Sequence, residues 1–133
     1  MTKRERIYAK YGGRCAYTGK PLGDDWQIDH MISLQKAKYI FENEGRVIHC
    51  HFEENMIPAL RIVNHYKRAF DLEGFREYMM TFYIRLGKLP KKTKVPATVK
   101  RIAYMNEVAE AFGITPDKPF EGKFYFEKLE EKI

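Results

Sequence analysis

Two separated stretches of this 133-residue chain constrain its fold more than any other feature. From Trp26 to Ser33 the residues run Trp-Gln-Ile-Asp-His-Met-Ile-Ser, with the two-residue alternation of a half-buried strand. From Asn55 a second strand is expected to about Leu60, with Pro58 marking it as an edge. A helix is expected from about Arg61 to Phe70, which sets Asn64 and Lys67 three residues apart on one face. Strand, strand, helix is therefore the expected core, and it presents Asp29 and His30 at one strand end. Adjacent strand residues point to opposite faces. Asp29 can then reach a metal while His30 meets an attacking water.

The rest of the chain predicts more helix than strand. Residues 2–11 suit a short helix with Thr2 as N-cap and Ile7 and Tyr11 inward, stopped by Gly12-Gly13. Arg14 to Leu22 reads as a tight knuckle. Leu34 to Gly45 is a long loop or one short helix closed by Gly45. Arg46 to Phe52 alternates and suits a further strand, with His49 and His51 on one face. From Asp71 to Leu86 an amphipathic helix is expected, with Phe75, Met79, Phe82 and Leu86 inward. A basic linker, Lys88 to Pro96, precedes a helix over about Ala97 to Phe112. Beyond Gly113 the pattern is irregular, with Phe120 and Phe124-Tyr-Phe126 tying the tail back. One domain over 1–133 follows, with a core of about 12–70 and a helical extension of about 71–133.

Composition narrows the partners. Lys and Arg number 24 against 18 acids, a net charge of +6 and a pI near 9.3. That balance suits a polyanion such as DNA. The charge is concentrated at 1–23 and between Lys88 and Arg101, where no acid occurs. No run reaches the eighteen or so apolar residues of a membrane span, and no signal peptide is read. Cys15 and Cys50 form no Cys-x-x-Cys pair, as expected of a reduced, cytoplasmic protein.

The Asp29-His30 pair, the nine-residue step from Asn55 to Asn64, Arg61, Lys67, and the knuckle Gly12-Gly-Arg-Cys-Ala-Tyr17 together resemble the HNH, or ββα-metal, endonucleases. The likeness covers about residues 4–80. It implies an α+β fold with a ββα-metal (His-Me finger) core and a mostly helical C-terminal half. It also implies hydrolysis of DNA phosphodiester bonds, leaving 5′-phosphate and 3′-hydroxyl ends. His30 is then the general base, and Asn55 the residue that fixes the backbone of the His-bearing loop. Asp29 and Asn64 are the expected metal ligands. Arg61, Lys67 and Arg68 are the expected nucleic-acid contacts. Two oxygen donors suit a hard cation, Mg²⁺ before Mn²⁺ or Ni²⁺. His65 is the competing ligand, and it would favour softer ions.

In many members the knuckle carries Cys-x-x-Cys and, with a second pair near the helix, binds a structural zinc. Here those positions hold Cys15 and Thr18, then Leu60 and Val63. No structural zinc is expected, and Cys15, Leu60 and Val63 should form an apolar plug. Small free-standing members are often encoded by phages or mobile elements, and a homodimer would set two sites on opposite strands. The alternative is an HNH scaffold that binds DNA or a partner and cuts little.

Overall fold

In the computed structural model, which describes residues 1–132, about half of the chain is helical around one two-stranded antiparallel sheet. The fold is α+β. Helix α1 (Lys3–Ala9) starts in a capping box, Thr2 accepting from the Glu5 N–H while Glu5 reaches back to Thr2. Its buried Ile7 joins Trp26 and Met56 in a small cluster of its own. Strand β1 (Gln27–His30) pairs with β2 (Met56–Ala59), aligning Asp29 with Ile57 and His30 with Met56. The outer edge of β2 is covered, since the Ala16 N–H donates to the Pro58 carbonyl at 2.9 Å. Pro58 thus lies in a buried strand without leaving an exposed edge.

Between the strands runs α2 (Leu34–Glu44), capped by Ser33 and closed by Gly45 in the left-handed conformation. Both strands are shorter than the alternation suggests. Ser33 is committed to its cap, and Asn55 lies in a 3₁₀ turn over Glu53–Asn55. Residues 46–52 form no strand and pair with neither β1 nor β2. His49 instead stacks on Phe52, with ring centroids 5.2 Å apart.

Helix α3 (Arg61–Lys67) follows β2 directly and packs on β1. It ends three residues before the expected Phe70, because Arg68 takes φ 54° and ψ −131°, which breaks the helical path. Arg68 is the one described non-glycine residue with positive φ.

The expected helix from Asp71 to Leu86 is two, α4 (Leu72–Met80) and α5 (Phe82–Gly87), broken at Thr81. Asp71 caps α4, and the four predicted core residues are all buried. Helix α6 (Pro96–Phe112) begins with proline in its first turn and ends at Gly113, with φ 71°. The tail contains a further helix, α7 (Tyr125–Glu130), where irregular chain was expected. Its short length, near the limit for a periodic signal, hid it.

The main core joins both halves of the chain. Cys15, Tyr17, Ile57 and Val63 lie in one cluster with Phe75, Met79, Phe82, Val108, Phe124 and Phe126. Cys15 and Val63 are fully buried, Leu60 packs beside them, and the Leu60 N–H faces Cys15 Sγ at 3.5 Å. Tyr17 sits edge-on to Phe75 and Phe124, with centroids 5.3 and 5.0 Å away.

One ion pair staples α7 to α4. Arg76 donates through both terminal nitrogens to Glu127, each at 2.6 Å, and also to the Gly122 carbonyl. Burial works to raise the Glu127 carboxyl, but the Arg76 bonds prevail and hold it below its ordinary value. A carboxyl depressed on folding adds stability above its unfolded pKa, and this is lost as pH falls through the folded value. Arg76→Ala should cost about 1–3 kcal/mol near pH 7. The deficit should narrow below about pH 4, in urea titrations at both pH values.

Candidate active site

The alternation of β1 sends Asp29 and His30 to opposite sides. Asp29 points into the protein at 6% exposure, and its carboxylate accepts from the Tyr17 hydroxyl and from Lys67 Nζ, at 3.2 and 3.3 Å to its two oxygens. Lys67 is 0% exposed and also donates to the His30 carbonyl at 3.1 Å. Burial raises the Asp29 carboxyl, while Lys67 and then Tyr17 pull it back down. Asp29 itself, with burial first, raises the Tyr17 phenol well above its ordinary value. Tyr17 therefore spans from the aromatic core to this carboxylate, and Lys67 from α3 to β1.

That placement corrects one expectation. Lys67 was expected to meet a phosphate, but its amine is turned inward and neutralises Asp29. Its position three residues after Asn64 puts both side chains on the face of α3 that packs on β1. Asn64 donates from Nδ2 to Gln27 Oε1 at 2.7 Å, one strand step pair away from Asp29. His65 leaves by another face, its Nδ1 2.6 Å from the Tyr104 hydroxyl on α6. The competing ligand is thus directed away from β1. Arg61 and Arg68 are exposed, as a nucleic-acid contact requires.

His30 is partly exposed at the end of β1. Burial is the largest influence on its imidazole and lowers it below its ordinary value. Asp29 opposes, and His51, Lys3 and Lys67 reinforce. The ring is consequently neutral near pH 7 and able to accept a proton. His51 lies edge-on to it, with centroids 6.2 Å apart.

Asn55 clamps the chain just beyond His30. Its Oδ1 accepts from the Ile32 N–H at 2.8 Å, and its Nδ2 donates to the carbonyls of Ile32 at 2.9 Å and Cys50 at 2.7 Å. The Met31 N–H also donates to the Asn55 carbonyl. One amide thereby ties the turn after β1 to the loop ahead of β2. Asn55→Ala should lose about 2–3 kcal/mol, because three buried or half-buried partners are orphaned. Amide exchange at Ile32 should accelerate, which mass spectrometry or NMR reads directly.

Of the N-terminal basic residues, several are spoken for. Arg4 stacks on Trp26 at 3.9 Å, Arg6 pairs with Glu53, and Lys10 donates to the carbonyls of Glu53 and Met56. The charge of that segment therefore serves largely to dock α1 beside the sheet. The sequence marks Tyr17 only as part of the knuckle and Gln27 only as a strand residue, neither as a site residue. Their place beside Asp29 and Asn64 follows only once the knuckle is folded against β1 and α3.

Whether the donors suit a divalent cation can be judged from their chemistry. Asp29 and Asn64 offer hard oxygens from adjoining elements, and Asp29 already holds a cation, the Lys67 ammonium. A metal would have to compete with that ammonium. Among the described residues, no group of three or more His, Cys, Asp or Glu side chains is gathered to hold an ion. No protein-family model matches the chain, and no curated protein or solved structure matches it significantly. No helix of the structure is long and apolar enough to cross a membrane.

Proposed function

We propose that this chain is a metal-dependent endonuclease that hydrolyses DNA phosphodiester bonds, with β1, β2 and α3 as an HNH-type ββα-metal core. The observation that carries the reading is the setting of His30. A neutral imidazole stands half-open at a strand end, and the turn after it is fixed by Asn55 on both sides of Ile32. A general base needs that combination of free lone pair and fixed aim. His30 takes the proton from the attacking water, and Asn55 holds the loop that aims it. Asp29 and Asn64 would hold Mg²⁺, with Mn²⁺ or Ni²⁺ as substitutes, in competition with Lys67. Bound there, the ion would neutralise charge growing on the phosphate and on the leaving oxygen. Arg61 and Arg68 contact backbone phosphates, and the +6 charge favours approach to DNA.

A second reading is favoured by one observation, the Lys67–Asp29 pair. With its carboxylate already neutralised, the chain would bind nucleic acid through the same scaffold and cut little. A labelled DNA duplex incubated with the protein and Mg²⁺ separates the two. The nuclease reading expects fragments whose 5′-phosphate and 3′-hydroxyl ends can be rejoined by a ligase. Intact duplex that is nonetheless retarded on a gel supports the binding scaffold.

A further inference from the structure

We propose that the cavity between the end of α3, helices α4 and α5, and α6 binds one nucleotide of a single-stranded nucleic acid. In this assignment Arg68, Lys88 and Arg101 hold the phosphate and Tyr104 faces the base. The assignment rests on the nucleic-acid reading above and names the form of substrate that reading leaves open.

The cavity measures about 520 Å³, within the range of small-ligand sites. Four cationic side chains line it, the three above and Arg85, and no carboxylate does. None of the four forms an ion pair among the described residues. Of the charged groups acting on the Tyr104 hydroxyl, Arg68 outweighs Glu107. Uncompensated positive charge gathered in a concavity calls for an anion, because the low-dielectric walls concentrate the field.

Arg85 fixes the floor. Its guanidinium lies over Tyr78 at 4.0 Å and donates to Thr81 Oγ1 and to the Tyr78 carbonyl, each at 2.7 Å. Its Nε is buried and has no acceptor among the described residues. Tyr66 stacks on Tyr78 with centroids 5.2 Å apart, so that face is closed. Tyr104 is different. It is half-exposed and lines the cavity, with His65 edge-on to its ring and Tyr66 tilted beside it at 6.0 Å between centroids.

These walls distinguish a strand from a duplex. Paired bases stay stacked inside a double helix and offer a concave site only their backbone, whereas an unstacked base gains from an aromatic wall. Positive charge also continues in the linker before α6, where Lys91, Lys92 and Lys94 border a further hollow walled by Val99 and Ile102 of α6. A phosphate backbone leaving the cavity meets them next.

The test is fluorescence anisotropy with a labelled oligo-dT of about twelve nucleotides and a duplex of equal charge. EDTA is present so that nothing is cut, and salt is varied. Wild-type protein should bind the single strand more tightly. Lys88→Ala with Arg101→Ala should weaken it about tenfold or more and flatten its salt dependence by about two units of slope. Tyr104→Ala should weaken it about five- to a hundredfold with the slope unchanged. Tyr104→Phe keeps the ring and should bind like wild type, and circular dichroism confirms that each variant is folded. Wild-type affinity in the folded Lys88, Arg101 and Tyr104 variants would overturn the assignment while leaving the nuclease reading standing. Equal displacement by polyglutamate would overturn it too, as a surface for acidic proteins. Failure of wild type to bind either nucleic acid would overturn both readings.

Discussion

Lys67→Met should lower the stability of the protein by about 3–5 kcal/mol, the cost typical of removing one partner of a buried ion pair. For a chain of this size that is roughly a 10 °C fall or more in melting temperature. The cause is Asp29. Its carboxylate is 6% exposed and would keep the Tyr17 hydroxyl and the His30 backbone N–H but no counter-charge, with burial already raising it. The methionine matches the lysine stem in volume, so the loss isolates the ammonium from the packing. Asp29→Asn added to Lys67→Met should recover part of the deficit, since the orphaned charge is then gone. Equal melting temperatures for wild type and Lys67→Met, measured by calorimetry, would mean that the pair contributes nothing to the fold. The same variant bears on chemistry. If the ammonium competes with a divalent ion, Mn²⁺ should bind Lys67→Met more tightly than wild type.

His30→Ala should reduce single-turnover cleavage of DNA by about 10²–10⁴-fold, the usual contribution of a positioned general base. The fold should survive, because the His30 ring is partly exposed and forms no hydrogen bond that the core depends on. Its backbone aligns with Met56 across the sheet and its carbonyl accepts from Lys67, and neither depends on the imidazole. DNA binding should change little. Cleavage unchanged in a folded His30→Ala protein would remove this residue from the reaction and direct attention to His51 beside it.

Most of the fold was legible because it is written at short range. The caps at Thr2 and Asp71, the stops at Gly45 and Gly113, and the apolar spacing of Phe75, Met79, Phe82 and Leu86 each act within a few residues. Alternation alone misled at Arg46 to Phe52, since a strand also needs a partner, and this segment pairs with neither β1 nor β2. The break at Thr81 and the early end of α3 at Arg68 come from backbone conformations that no residue type there announces. The site divides the same way. Asp29, His30, Asn55 and Asn64 are candidates through the resemblance to HNH endonucleases, Asn55 through that alone. The inward turn of Lys67 could not be read in this way, because its partners, the Asp29 carboxylate and the His30 carbonyl, stand 38 and 37 residues earlier in the chain. The C-terminal helices carried no motif, yet they build the basic, tyrosine-walled cavity against α3.

The most direct measurement is incubation of supercoiled plasmid with the purified protein in Mg²⁺ or Mn²⁺, beside EDTA and beside His30→Ala. The account predicts open-circular or linear product with either ion, and none in EDTA or with the variant. The ratio of the two products separates nicking from cutting through both strands. Plasmid left supercoiled under every condition, by folded protein that still binds it, would contradict the account and make this chain a binding scaffold.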